Sequence, residues 1–380
     1  MRDRLGNPID EALVLVFEKN RSFTGEPVVE FQVHGSIAVV RAILAELGRL
    51  DGLRLAEAGE FTRRALINDR LDLTQVEALA DLLDAETESQ RQQAIKGFTG
   101  GFADVIASWR NDLISAVSLL EVTIDFSDEE IPVDVTDDVR KLLTGVATSV
   151  QQQLLGFSAA ERVKTGFEVA IVGEPNSGKS SLLNALAGRD VAITSDIAGT
   201  TRDVIEVRMD LQGLAVTLLD TAGLRGSDDD IERIGIQRAI ERARNADLRI
   251  FLSDMDAPYR DLFQKDDIEI RSKADLTGDL DGISAETGQG LDALMDKVSS
   301  VLLGRAEPAG LVTAERHRIA LEVGYSALVI ALSVLEQGVA HYDIASEEIR
   351  TAIRRLEVLV GRVGVETVLD RIFSSFCLGK

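Results

Sequence analysis

Residues 173–181 read GEPNSGKSS. They satisfy the pattern GxxxxGK[ST] and lie between FEVAIVG, a buried-type strand, and SLLNALAG, which reads as a helix. In that context a glycine-rich turn becomes a phosphate cradle, because N–H groups of the loop and helix N-terminus surround the phosphates. The block Gly178, Lys179, Ser180, Ser181 closes the cradle. Lys179 reaches the β and γ oxygens, and Ser180 puts a hydroxyl on Mg²⁺. The chemistry implied is phosphoryl transfer.

Three further stretches follow in order. DTAG (220–223) ends a strand, so Asp220 can hold Mg²⁺ through water and Gly223 can offer its N–H to the γ-phosphate. In SKAD (272–275) the carboxylate of Asp275 can accept from the two N–H donors of guanine, with the stem of Lys273 flattened against the base. Ser272 stands where GTPases usually carry asparagine, and it can keep one hydrogen bond to the phosphate loop but not an amide's two-sided set. In ISAETG (283–288) the backbone around Ser284 and Ala285 can bind the guanine carbonyl. Together these make the nucleotide GTP rather than ATP. GTTRD (199–203) supplies Thr200 or Thr201 as the second Mg²⁺ hydroxyl. Leu224 follows DTAG where many regulatory GTPases place a water-orienting glutamine, and leucine cannot orient water. Glu232, in the acidic stretch SDDDIER, is the chief candidate for that work, although composition alone reads it as a solvated helix face.

These residues need a scaffold. The strands expected at 215–220, 246–252 and 268–273, with a helix at 231–245, make residues 167–303 a mostly parallel sheet covered on both faces. Residues 71–162 and 313–375 have helical periodicity, the former opened by a Thr74–Glu77 cap, and RAEPAG (305–310) is a linker. The simplest architecture is an α/β P-loop domain inserted into an all-α domain. Before it, ALVLVF (12–17), VVEFQV (28–33) and the helical stretch 36–47 form a small α+β unit that looks incomplete. The expected boundaries are 1–66, 67–165, 166–305 and 306–380.

The chain has 380 residues and a formal charge of −23, which argues against broad, unspecific binding of nucleic acid. A single cysteine excludes an intrachain disulfide and any cysteine-cluster metal site, and it suits a reducing compartment. The first residues lack the apolar core of a signal peptide, and no run of eighteen uncharged apolar residues suggests a membrane span. The expected location is cytoplasmic.

The motifs resemble a known family, the tRNA-modification GTPases MnmE (TrmE). The resemblance runs through SFTGE (22–26), HG (34–35), GEFTRRALINDRLDLTQVEALADLLDA (59–85), IDFSDEE (124–130), the phosphate loop, SDIAGTTRD (195–203), DTAGLR (220–225), ERIGI (232–236) and the terminal FCLGK. It implies a Ras-like GTPase domain, a folate-binding N-terminal domain and a homodimer. It also implies carboxymethylaminomethyl modification of the tRNA wobble uridine at C5, with MnmG (GidA) as FAD-dependent partner. The one-carbon unit would come from 5,10-methylenetetrahydrofolate, or a 5-formyl analogue would bind in its place. By the same resemblance K⁺ assists hydrolysis, held by Asn176 with loop carbonyls of Ser195 and Ile197, and Glu232 positions the water. Glu60, Arg64 and the terminal Lys380 are the folate candidates, and surface ion pairs explain the first two equally well.

Cys377 keeps two readings, a participant in the modification chemistry or an apolar residue packed beside Phe376. The resemblance also sets an expectation that the chain lacks about the first sixty residues of the family, which would leave strand edges open to association. Two alternatives follow: an unrelated signalling or ribosome-assembly GTPase, and a GTP-binding, dimerising scaffold that does no tRNA chemistry because the N-terminal segment is missing.

Overall fold

The computed structural model describes residues 1–125, 135–174, 176–188, 206–220, 230–252 and 260–361, without the side chains of residues 230–236 and 238. At the N-terminus β1 (Leu13–Phe17) and β2 (Val28–Gln32) pair antiparallel, with Leu13 opposite Gln32 and Phe17 opposite Val28. Helix α1 (Ile37–Leu47) follows, capped by Ser36, whose hydroxyl accepts from the Val39 N–H. The loop between the strands folds back on α2 (Glu60–Ile67). Ser22 and Thr24 are buried there, and the Asn68 amide donates to the Thr24 carbonyl at 2.8 Å.

The chain then becomes helical through α3 (Leu73–Leu83), α4 (Glu88–Phe98), α5 (Gly101–Asp125), α6 (Thr136–Leu155) and α7 (Phe157–Thr165). The expected Thr74–Glu77 cap is corrected. Asp72 caps α3 by accepting from the Gln75 N–H at 2.9 Å, and Gln75 reaches back to the Asp72 N–H. Thr74 is buried and donates to Asp72, while Glu77 points elsewhere, into the helical core.

An α/β domain interrupts the helices. Its five-stranded sheet runs in the order β4 (Glu206–Leu211), β5 (Leu214–Asp220), β3 (Phe167–Val172), β6 (Leu248–Phe251), β7 (Ile268–Glu269). All neighbours are parallel except β4 and β5, which form a hairpin. The sequence reading missed β4, the antiparallel edge, because EVRMDL is charged at every second position on its half-exposed face. β7 is also much shorter than the expected 268–273. Helices α8 (Lys179–Ala187), α9 (Asp230–Asn245), α10 (Ala274–Thr277) and α11 (Leu291–Ala306) complete the domain. Alternation along β3 sends Val169 and Ile171 toward α8 and α11, and Ala170 and Val172 toward the α9 side.

The sheet domain leaves the helices and returns to them at one place. Pro308 and Gly310 pass so close to Gly156 that a Cβ there would lie 2.7 Å from the Pro308 carbonyl oxygen. Beyond it α12 (Glu315–Leu335) and α13 (Tyr342–Leu359) pack with α5 and α6 into one core around Trp109, Leu113, Leu143, Leu328 and Ile349. Among the described residues α12 alone is long and apolar enough to cross a membrane, and its Leu321, Leu328 and Leu335 are buried in this core.

Two buried polar clusters hold the parts. In the sheet domain Arg249, 1% exposed, pairs with Asp267 at 2.7 Å and donates to the carbonyls of Ala243, Arg244 and Ala246, which end α9. Removing one partner of such a pair costs about 3–5 kcal/mol. Asp267→Ala should therefore lower the unfolding free energy of the sheet domain by that amount in calorimetry, and an unchanged transition would show the pair to be dispensable.

In the helical domain Glu77 on α3 accepts from Arg316 and from His317 Nε2 on α12. Burial alone would raise this carboxyl, but hydrogen bonds from His317 and Arg316 outweigh it and hold it at about 2. A depressed carboxyl stabilises fully above its unfolded value and loses that contribution as pH falls through its folded value. The contribution, on the order of 3 kcal/mol, should therefore fade between about pH 4.5 and 2. Emission of Trp109, the single tryptophan, reports this domain. Acid unfolding of Glu77→Gln followed at that residue should lose pH dependence in this window.

Candidate functional site

The phosphate loop leaves the carboxyl end of β3, the central strand of the sheet. Its backbone takes left-handed conformations at Asn176 (φ 65°) and Gly178 (φ 96°), turning successive N–H groups toward the start of α8. Gly173 admits no side chain, since a Cβ would lie 2.6 Å from the Ser177 hydroxyl and 2.9 Å from the Leu252 carbonyl oxygen. Lys179 is buried, and its ammonium donates to the carbonyls of Gly173 and Glu174 at 2.9 and 2.8 Å. The charge thus waits inside the loop, held by weaker acceptors than a phosphate would offer.

Parallel pairing sets Ile171 opposite Asp220, so β5 delivers its last residue beside the first turn of α8. There the Ser180 hydroxyl donates to Asp220 Oδ2 at 2.6 Å, while the buried Oδ1 has no partner among the described residues. A hydroxyl and a carboxylate with a spare buried oxygen are the hard donors Mg²⁺ takes. These two residues fit that ion. Ser181, next on the helix, is exposed.

SKAD (272–275) and ISAETG (283–288), the stretches expected to hold the base, lie on the same edge of the sheet. The Ser272 hydroxyl donates to the Ser177 carbonyl at 2.6 Å, so serine keeps one tie between SKAD and the phosphate loop. Lys273 is left-handed (φ 59°), and Asp275 is exposed in the first turn of α10. Two backbone bonds, Ile283 N–H to the Arg271 carbonyl and Ala274 N–H to the Ile283 carbonyl, lay the 283–288 turn alongside SKAD. Ser284 is buried, and its hydroxyl accepts from the Thr287 N–H, leaving Ala285 half-buried on the turn. Asn176, Lys179, Ser180, Asp220, Ser272, Lys273, Asp275, Ser284 and Ala285 therefore occupy connected loops. Ser195, Ile197, Thr200, Thr201, Gly223, Cys377 and Lys380, and the side chain of Glu232, lie outside the described residues.

Away from this edge, Glu60 and Arg64 share α2, each in its own ion pair. Glu60 accepts from Arg54 at 2.8 and 2.9 Å and from the Glu57 N–H, and the Arg54 hydrogen bond leads in bringing its carboxyl down to about 2. Arg64 lies 3.4 Å from Glu26.

Comparison with known proteins follows this geometry. Residues 73–377 match the model of the MnmE helical domain, and residues 1–70 match the model of the GTP-binding protein TrmE N-terminus. The tRNA modification GTPase MnmE of Roseobacter denitrificans is 57% identical over all of this chain and 89% of its own length. The proteins of the same name from Ruegeria sp. and Ruegeria pomeroyi are each 56% identical, over the same shares. The N-terminal match overturns the expectation that the chain lacks about the first sixty residues of the family. The short β1–β2 unit that suggested it is a paired hairpin anchored on α2. Matches over all of this chain to tRNA modification GTPases stand against the scaffold alternative, which rested on that expectation.

Ser272→Ala removes the side-chain tie that joins SKAD to the phosphate loop among the described residues. It should weaken guanine nucleotide about 5- to 10-fold, the worth of one hydrogen bond, in a fluorescent-GDP titration. Unchanged affinity would show that the backbone alone holds the two loops together.

Proposed function

The chain belongs to the MnmE (TrmE) family of tRNA-modification GTPases, and on that premise we propose how its residues carry out GTP hydrolysis in modifying the wobble uridine of tRNA. The observation that supports this reading best is the Ser180–Asp220 contact, with Ser272 docked on the same loop. It joins the phosphate, metal and base elements at one sheet edge.

In this reading the loop N–H groups from Asn176 to Ser181 receive the phosphates, and Lys179 leaves the Gly173 and Glu174 carbonyls for the β and γ oxygens. Ser180, Thr201 and Asp220 are the Mg²⁺ set, and bound Mg²⁺ neutralises charge building on the phosphate oxygens. Thr200 flanks it, and Gly223 offers its N–H to the γ-phosphate. Asp275 selects guanine by accepting two N–H bonds, Lys273 covers the base, and Ser284 and Ala285 address its carbonyl oxygen. K⁺ is held by Asn176 with the carbonyls of Ser195 and Ile197, adding positive charge where an arginine finger acts elsewhere. Glu232 orients the water that Leu224 cannot. The GTPase unit spans 166–305, within helical segments 67–165 and 306–380, after an N-terminal unit at 1–66.

The remaining assignments rest on family membership. They are C5 carboxymethylaminomethylation, the FAD-dependent partner MnmG, a homodimer, a cytoplasmic setting, and folate held by Glu60, Arg64 and Lys380. Cys377 belongs to the same chemistry or packs as an apolar residue. Using Glu60 or Arg64 for folate means giving up the Arg54 or Glu26 partner, which exposed pairs do at little cost.

Steady-state hydrolysis of GTP by the full chain in KCl should exceed that in NaCl at equal ionic strength. Lys179→Ala should abolish turnover in both. Equal slow rates in the two salts would remove the Asn176-centred ion from the mechanism and leave guanine-nucleotide binding standing.

A further inference from the structure

A second cavity lies far from the phosphate loop, where the helical and sheet domains meet. It encloses about 700 Å³ between α3, α4, α12, the end of α7 and Arg208 on β4, within the range of about 300–1,000 Å³ usual for ligand pockets. Polar ties line the cavity, and of these Arg208 with Glu86 crosses between the domains. Lys164 pairs with Asp81 at 2.8 Å and Arg208 with Glu86 at 3.2 Å, and the Gln90 amide donates to the Lys164 carbonyl. Glu77 and Asp84 are also on the wall, and with Arg316 already on Glu77, four carboxylates meet three cations, so Asp84 has no ion pair among the described residues.

Two buried acceptors on this wall have no partner among the described residues. One is the amide oxygen of Gln93, whose nitrogen is already used on the Ala160 carbonyl at 3.1 Å. The other is Nδ1 of His317, a side chain 3% exposed. Its Nε2 lies 2.8 Å from Glu77, which Arg316 holds ionised, so the proton sits on Nε2 and Nδ1 keeps a lone pair. Burial, which disfavours the imidazolium, lowers the His317 pKa and keeps the ring neutral despite the Glu77 contact. An anion would meet excess negative charge here. Among the described residues no three acidic, histidine or cysteine side chains converge as a metal site. The unmet demand is for N–H donors carrying positive charge, spread over a cavity too large for a bare ion.

We propose that this seam cavity binds a linear organic polycation of the polyamine class, which donates to Gln93 Oε1 and His317 Nδ1 and meets the carboxylate of Asp84. The site is separate from nucleotide chemistry and does not depend on the GTPase assignment.

The test is calorimetric titration of spermidine into the full chain at physiological ionic strength. One saturable equivalent is expected. Gln93→Leu should weaken it about tenfold, the scale of a hydrogen bond to a charged group. Ala85→Trp, which fills the cavity from the α3–α4 connection and removes no polar partner, should abolish it. Diacetylspermidine, of the same backbone but fewer charges, should not bind, and far-ultraviolet circular dichroism should confirm that both variants fold. Equal binding by wild type and both variants, or non-saturating heats that vanish with salt, would mean only condensation on a chain of charge −23 and would overturn the proposal.

Discussion

The nucleotide site depends on β3 having a parallel neighbour on each side. Parallel pairing brings the carboxyl ends of β5, β3 and β6 to one edge, and loops leaving there meet while those at the other edge cannot. The pairing of Ile171 with Asp220 places the carboxylate beside Ser180 without any help from the loops. Leu252, just past β6, sets the ceiling over Gly173 and so requires a glycine there. A one-residue slip of β5 would move Asp220 along the strand and turn its side chain to the other face of the sheet.

Arg249 serves the same edge from the opposite end of the sheet. Its guanidinium satisfies the last carbonyls of α9 and is neutralised by Asp267, so the helix C-terminus cannot drift from β6. A buried ion pair is costly to desolvate, and well-packed apolar residues often match it in stability. Its value here is directional, because the planar fork fixes α9 at one angle to the sheet.

The chemistry at the phosphate loop was legible because it is local. Glycines, a lysine and a serine at fixed spacing between a strand and a helix specify their own geometry. Ser272 was legible in part, since a hydroxyl can make one bond, and the structure places that bond on Ser177. The insertion of a sheet domain into helices could be read from the change of period at Phe167 and the return after residue 310. What could not be read were the long-range partners. Glu77 looked like half of a capping box, yet it meets Arg316 and His317 some 240 residues away. Asp267 and Arg249 are unremarkable in a sequence and become a buried pair only through the β6–β7 pairing. β4 escaped because an edge strand with one wetted face carries charge where a buried strand does not.

The two large cores are separate, one around Trp109 and Leu328 and the other around β3, and α7 bridges them, with Phe157 packed in the first and Val163 in the second. The rest of the seam includes hydrogen bonds such as Ser89 N–H to the Gly213 carbonyl, and ion pairs such as Arg208 with Glu86, whose side chains are 42% and 32% exposed. Contacts of that exposure are worth about 0–1 kcal/mol each, whereas burying one large apolar side chain contributes about 1.5–3 kcal/mol. The domains therefore hold their own shapes far more firmly than they hold one another. The covalent links across the seam are the turn at Gly166, left-handed at φ 92° and packed on Ala215, and the 306–310 strand of chain lying against Gly156. Rotation of the sheet domain must pivot there, and it must break the contacts of the β4–β5 hairpin to α4 and to Glu86.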